Sequence, residues 1–326
     1  MSDSEVGPVG IATAAEALRE GELVGLPTET VYGLAADARN GKAVAGIFAA
    51  KGRPHFNPLI VHVLSLEDAG KIAVFDAAAM RLAEAFWPGP LTLVLPRRPD
   101  SGIADITTAG LDTVALRVPA HPIARILLSA FGGPVAAPSA NRSGHVSPTT
   151  AAHVAADLGG DVACILDAGP SGIGVESTIV GFSGEDAVLL RPGGLASAKI
   201  EAVLGRKLVA PASDAAVSAP GMLASHYAPA ASLRLDVTDV RAGETLLAFG
   251  PDLPAGSDRA EAIQNLTMSG DLAEAAANLF AALRRLDRES AAIAVMPIPN
   301  DGLGEAINDR LRRAAAPKDR VPTARR

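Results

Sequence analysis

The chain has 326 residues, 48% hydrophobic and 20% charged, with a formal net charge of −7. That length suggests about two domains, and the balance excludes disorder over most of the chain. The negative sign disfavours a general nucleic-acid coat, although a local basic groove is compatible with it. A single cysteine, Cys164, excludes an internal disulfide framework and any multi-cysteine zinc or iron–sulfur site. It lies in the apolar run 162–166 and reads as a buried spectator. The first residues, MSDSEVGP, lack the apolar segment of a secretory signal. The longest stretch free of Asp, Glu, Lys and Arg, Ala215 to Leu233, holds Pro220, Gly221, His226 and Pro229 and is too polar to span a bilayer. The expectation is a soluble cytoplasmic protein with no membrane contact.

In chain order, short aliphatic runs bounded by Pro, Gly or Asp predict strands at Leu23–Leu26, Leu59–Val63, Leu91–Leu95, Thr113–Val118, Val135–Ala137, Thr178–Phe182 and Val188–Leu190. Between them, Ala43–Ala50, Ala77–Phe86, Pro122–Ala130 and Thr150–Leu158 read as helices, with Asp76 as the N-cap of the second. Strands separated by helices predict a layered α/β domain. The pattern breaks at 208–230, a stretch rich in Ala, Ser and Pro that is longer than the usual connection inside a compact domain. A smaller α/β unit follows, with strands at Thr245–Phe249 and Ala291–Met296 and helices at Leu272–Leu286 and Leu303–Ala314. Residues 310–326 hold seven basic residues, from Arg310 to Arg326, against Asp319. They read as a solvated helix end plus a frayed tail, with an RNA contact as the sharper alternative.

Polar residues cluster after strand ends, where open α/β sheets place ligands. The first cluster is Pro27-Thr-Glu-Thr-Val-Tyr-Gly33. Thr28 and Thr30 could donate to an anion or a small polar substrate, and Glu29 could accept from an ammonium; they could equally cap a turn. The second is Lys51-Gly-Arg53-Pro-His-Phe-Asn57-Pro, where two cations two residues apart suit a polyanion such as a triphosphate. The same cations would also suit the C-terminal dipole of the preceding helix, and Asn57 could simply shape a turn. His62 lies in an apolar strand and reads first as a satisfied, half-buried side chain. In the strand from Thr113, the residues Thr113, Ala115 and Arg117 share one face. Arg117 needs a partner there, either a substrate carboxylate or an internal acid. Ala137-Pro-Ser139-Ala-Asn141, running on to Ser147, together with Gly174-Val-Glu-Ser177-Thr178 and Arg191-Pro-Gly-Gly194, has the hydroxyls, amides and backbone N–H groups of an anion cradle. No P-loop, dinucleotide fingerprint, nucleophile elbow or H-E-x-x-H motif occurs. The residues alone therefore describe an α/β protein with a cationic, hydroxyl-rich pocket for a small anionic ligand.

PTETVYGL, KGRP-x-x-NPL and APSAN-x-SG, in this order and spacing, resemble the threonylcarbamoyl-adenylate synthase family. Lys51, Arg53, Ser139 and Asn141 match its Lys-x-Arg and Ser-x-Asn signature, and ESTIV, LRPG and the PGM…HYAP of residues 220–229 match its two-domain form. The resemblance implies a twisted open mixed sheet with flanking helices forming a concave cationic site, plus a smaller Rossmann-like C-terminal α/β domain. It places the catalytic domain at 1–207, a linker or lid at 208–230 and the C-terminal domain at 231–326. It implies a nucleotidyltransferase that converts L-threonine, bicarbonate or CO2, and ATP into threonylcarbamoyl-adenylate and pyrophosphate. A separate transferase would then use the adenylate to modify tRNA. By the same likeness, Thr30, His62, Arg117, Ser177 and the backbone of Ala137 would hold threonine. Lys51, Arg53, Asn57, Thr113, Ser139, Asn141, Ser147 and Arg191 would hold ATP, with Lys51 and Arg53 supplying charge, Tyr227 covering the nucleotide and Mg2+ bridging its phosphates. His226 would sit with Tyr227 in the lid. Two other readings compete: a double-stranded RNA or tRNA-binding module, and a carbamoyl transferase of the same superfamily, which would require zinc-finger modules that one cysteine cannot build.

Overall fold

The computed structural model describes residues 8–54, 56–211, 219–220 and 227–317. Helix α1 (Pro8–Glu20) buries Ala14, Ala15 and Leu18 and leads into β1 (Val24–Leu26), β2 (Gly33–Asp37) and α2 (Gly41–Lys51). Asn40 starts α2 by accepting from the amides of Lys42 and Ala43, and Gly52 ends it in the left-handed region at φ 61°. Next come β3 (Ile60–His62), α3 (Leu66–Ile72), α4 (Ala77–Phe86), β4 (Leu91–Pro96) and β5 (Thr113–Arg117). Asp76 caps α4 as its position predicts, accepting from the Ala79 amide. The remainder of the first unit is α5 (Pro122–Phe131), β6 (Val135–Ala136), α6 (Ala151–Leu158), β7 (Cys164–Ile165), β8 (Thr178–Ser183), β9 (Asp186–Arg191) and α7 (Ser197–Leu204).

These strands form one mixed sheet in the order β7-β1-β2-β6-β3-β5-β4-β8-β9. The predicted strands and helices of this unit are all present. Three helices and two strands are additional: α1, α3, α7, β2 and β7. Cys164 is in β7 and only half-buried, so it is not the buried spectator its neighbours suggest. The second unit contains β10 (Ser232–Arg234), β11 (Thr245–Ala248), β12 (Ile263–Asn265), α8 (Leu272–Glu289), β13 (Ala292–Val295) and α9 (Gly304–Ala315). Its sheet is parallel throughout, in the order β10-β13-β11-β12. Leu279, Phe280 and Leu283 of α8 and Leu311 of α9 share one core with Leu247 and Ile293 of that sheet.

Side-chain alternation gives the large sheet two different faces. Leu91, Leu93, Leu95, Val114, Leu116 and Val61 point to the helix-covered face and join the main core. Ile60, Val94, Ala115 and Ile179 point the other way and form a small cluster with Ala219. Under β1, β2 and β6 this second face is covered by α1 and α5, and around β3, β5, β4 and β8 it borders residues 219–220 and Tyr227.

Docking of the two units is intimate. Arg284 of α8 reaches Asp157 at 3.0 Å and also donates to the Val146 carbonyl. Ser197 donates to Glu305 of α9. Gly174 has φ +77°, and a Cβ there would lie 2.4 Å from Ala276 O and Ala277 Cα. Only glycine permits both the left-handed backbone and this approach. Gly174→Ala is expected to destabilise the protein by about 2 kcal/mol or more. Chemical denaturation should show this as a lower unfolding midpoint; an unchanged midpoint would show that the close approach is dispensable.

Candidate active site

The polar residues of the second face converge because the strand register puts them side by side. His62 on β3 is the register partner of Arg117 on the parallel neighbour β5, and Ile60 pairs with Ala115. Adjacent strands lie about 4.8 Å apart, so both side chains rise into the same space. The loop after β6 brings Ala137, Pro138 and Ser139 beside them, and β8 is entered through Glu176 and Ser177. Gly193 lets the chain after β9 fold back here, since a Cβ would lie 2.4 Å from the Glu176 carbonyl oxygen. The result is one cavity lined by Thr30, Arg53, Ile60, His62, Arg117, Ala137, Pro138, Ser139, Glu176, Ser177, Arg191, Pro220 and Tyr227.

Each guanidinium in this wall is oriented by fixed acceptors. Arg117 donates to Gly89 O at 3.2 Å, Thr30 Oγ1 at 2.9 Å and Glu29 Oε1 at 2.6 Å. Its internal partner is therefore Glu29, which also accepts from the His121 amide. A guanidinium has five N–H donors, and two of those of Arg117 have no partner among the described residues. Burial pushes the Glu29 carboxyl up, but the Arg117 charge and hydrogen bond outweigh this and hold it below the usual range. Arg53 donates to the carbonyls of Asn57 and Pro58, and Arg191 to Ser177 O, Ser177 Oγ and Pro220 O. Among the described residues, no carboxylate lies within ion-pair distance of Arg53 or Arg191. Burial lowers Arg53 to about 10, leaving it charged at neutral pH.

Lys51 sits behind this wall. Its ammonium donates to Ser139 O at 2.6 Å and also to Asn141 O, and so shapes the loop that presents Ser139. Burial, with Arg53 adding repulsion, pushes its pKa well below the lysine range. Asn57 and Asn141 flank the cavity, and the Oδ1 atom of each is buried without a partner. Asn141 spends its amide donors on Arg142 O and His145 O. Ser147 donates to Glu176. His62 is 2% exposed, so it is fully buried rather than half-buried, and its Nδ1 has no hydrogen-bond partner among the described residues. Burial, with Arg117 nearby, lowers its pKa to about 3, and the ring is neutral at physiological pH. Such orphaned polar atoms cost about 1–3 kcal/mol each, and a ligand that supplies their partners recovers that energy.

Thr113 is the exception among the residues named from sequence. It lies at the far end of β5, roughly 13 Å from Arg117 at ~3.3 Å per residue. It borders a separate hollow with Val94, Phe182 and Leu190. His226 lies outside the described residues. Three residues that support the cavity were not named as candidate site residues from the sequence. Thr92 shares a hydrogen bond with Ser177 at 2.7 Å, Glu176 holds Ser147, and Arg310 holds Glu176. Arg310 is fully buried, which overturns its reading as part of a solvated helix end.

The arginines, the neutral buried histidine and the hydroxyls of this cavity form a polar small-molecule site on an open α/β sheet. The chain belongs to the Sua5/YciO/YrdC family: the Sua5_yciO_yrdC model, described as "Telomere recombination", matches residues 16–193. A second model, "Threonylcarbamoyl-AMP synthase, C-terminal domain", matches residues 195–316. The threonylcarbamoyl-AMP synthase of Bacillus subtilis is 44% identical over 94% of this chain and 92% of its own length. That of Pyrococcus abyssi is 43% identical over 94% of both chains. The fold matches the crystal structure of P. abyssi Sua5 complexed with L-threonine with a TM-score of 0.88, covering 97% of this chain and 98% of that one at 41% identity. Among the described residues no helix is long and apolar enough to cross a membrane.

The donor set does not suit a resident metal. Among the described residues no group of three or more His, Cys, Asp or Glu side chains converges, and the cavity-side carboxylates Glu29 and Glu176 are each held by an arginine.

The neutrality of His62 has a consequence for stability. Between about pH 6.5 and about 3 the unfolded chain binds a proton at this ring that the folded chain excludes. Stability therefore falls as pH drops through that window. His62→Gln is expected to remove up to one proton from the slope of unfolding free energy against pH between pH 6.5 and 4. Equal slopes in the two proteins would mean that the ring charges in the folded state.

Proposed function

We propose that this chain synthesises threonylcarbamoyl-AMP from L-threonine, bicarbonate or CO2, and ATP, releasing pyrophosphate. The supporting observation is the single cavity in which Arg117 and His62 stand beside Arg53, Ser139 and Arg191. L-threonine takes the first group: its carboxylate accepts from the two remaining N–H donors of Arg117, and Thr30, Ser177 and the Ala137 backbone surround its hydroxyl and amine. ATP takes the second. Arg53 and Arg191 meet the triphosphate, Ser139 and Ser147 add hydroxyls, and Asn57 and Asn141 offer acceptors to ribose or base groups. Lys51 serves by holding the Ser139–Asn141 loop and adding positive charge behind it. Thr113 fits the nucleotide's far end, along the same strand face. Mg2+ enters with the nucleotide as part of the substrate, in keeping with the lack of a ligand cluster among the described residues.

The chemistry needs no protein nucleophile. The neutral threonine amine attacks CO2, loses a proton and becomes an N-carboxylate. One of its oxygens attacks the α-phosphorus of ATP, and pyrophosphate leaves. Orientation and stabilisation of phosphate charge are the protein's contributions. Placing Arg117 against the amino acid and Arg53 and Arg191 against the phosphates brings the two reactants together. The product is a mixed anhydride prone to hydrolysis, so exclusion of water matters. Pro220 and Tyr227 supply that exclusion. In this reading residues 1–207 carry the chemistry, 208–230 the cover and 231–326 its support. The adenylate is passed to a tRNA-modifying transferase in the cytoplasm, where ATP and tRNA are available.

The competing readings fit less well. An RNA module would present its cations at the surface, whereas Arg53, Arg117 and Arg191 are all buried. The likeness to full-length HypF is one of fold, at 22% identity and covering 29% of that chain.

Purified protein is expected to release pyrophosphate from ATP only when both threonine and bicarbonate are present. Release that persists when either is omitted would refute the assignment. Arg117→Ala should raise KM for threonine at least about tenfold with a smaller effect on KM for ATP; equal effects on both would remove Arg117 from the threonine site.

A further inference from the structure

Arg310 lies on α9 in the C-terminal unit, yet no side chain in the described structure is more completely buried. Its Nε donates to Glu176 Oε2 at 2.7 Å, Nη1 to Asp309 Oδ2 at 2.5 Å and Nη2 to Pro192 O at 3.0 Å. Its guanidinium carbon lies 4.8 Å from the centre of the Tyr227 ring, which also stacks on Phe280 of α8 at 5.7 Å. Tyr227 has a left-handed backbone, φ +62°, a conformation that costs a bulky residue energy and must be held by its surroundings.

Glu176 is the acid that matters here. It lines the cavity together with Arg191, and Arg191 is anchored to the carbonyl of the next residue, Ser177. Glu176 carries a negative charge into a site that must receive a triphosphate. With Oε2 on Arg310 and Oε1 on Ser147, both of its oxygens are occupied. If Arg310 were removed, the carboxylate would be left buried beside the nearest remaining guanidinium, that of Arg191. Pairing with it would cancel a charge meant for phosphate.

We propose that Arg310 is a positioning residue of the nucleotide site: by holding Glu176 it keeps Arg191 available to the triphosphate, and by covering Tyr227 it fixes the wall that closes over the nucleotide. The C-terminal unit thereby completes the ATP site without touching the reacting atoms. This rests on the synthase reading for the identity of the nucleotide, so the test measures binding separately from turnover. The probe is a non-hydrolysable ATP analogue titrated calorimetrically into the full chain. Arg310→Gln is expected to weaken binding by about tenfold or more, and Arg310→Lys by less. Adding Glu176→Gln to Arg310→Gln is expected to restore affinity to within about threefold of the wild type, because the amide still accepts from Ser147 but has no charge to place on Arg191. A purely structural Arg310 would give a double variant that binds no better than Arg310→Gln. That result, or wild-type affinity in Arg310→Gln, overturns the proposal. Should Arg310→Gln fail to fold, Glu176→Gln alone decides: unchanged or tighter binding is expected, and a tenfold loss overturns the proposal. Analogue binding that follows this pattern in a chain releasing no threonine-dependent pyrophosphate would refute the synthase reading and leave the Arg310 inference standing.

Discussion

The structure depends on keeping a group of buried guanidinium ions charged and apart. Arg53, Arg117, Arg191 and Arg310 are each less than a tenth exposed, and they gather around one cavity. Like charges in a low-dielectric setting repel strongly, and each loses its hydration. The protein meets this in two ways. Arg117 and Arg310 receive a carboxylate each, Glu29 and Glu176, whereas among the described residues no carboxylate lies within ion-pair distance of Arg53 or Arg191, which are held by backbone carbonyls and hydroxyls. In the first pair Arg310 is largely neutralised, and Arg117 keeps two N–H donors for a ligand. The second retains net charge, which suits a polyanion.

The same division explains the two-unit design. The large sheet buries one face, and the β1-β2-β6 part of the other, against its own helices, and leaves the rest of the second face to residues from later in the chain. Parallel pairing of β3 with β5 and of β4 with β8 puts the C-terminal ends of β3 and β5 near the start of β8, and the chain leaving antiparallel β6 lines the same cavity. The closing unit contributes an ion pair and an aromatic contact rather than a catalytic group. Gly174, where a side chain would collide with the backbone of α8, marks how tightly the two units are fitted.

Much of this was legible in the sequence, and the gaps have physical causes. Periodicity found the long strands and the amphipathic helices. It missed β2, whose residues Gly33-Leu-Ala-Ala-Asp37 include no β-branched side chain, and β7, which is two residues long. α1 was overlooked although Ile11, Ala14, Ala15 and Leu18 recur at helical spacing, because alanines carry a weak apolar signal. Residues from all of the strand-end clusters meet at one cavity. Local reasoning could not say that Lys51 faces carbonyls rather than open space, since those belong to Ser139 and Asn141, far along the chain. Arg310 was illegible for the same reason. In a run of basic residues it looks solvated, and its carboxylate partner is 134 residues away.

The most direct test is a crystal structure of the full chain with L-threonine and a non-hydrolysable ATP analogue. The expected result places triphosphate oxygens within hydrogen-bonding distance of Arg53, Ser139 and Arg191, with the amino-acid carboxylate on Arg117 and His62 beside the amino acid. Nucleotide seated elsewhere, for example in the separate hollow beside Arg39, Lys71 and Leu128, would contradict it.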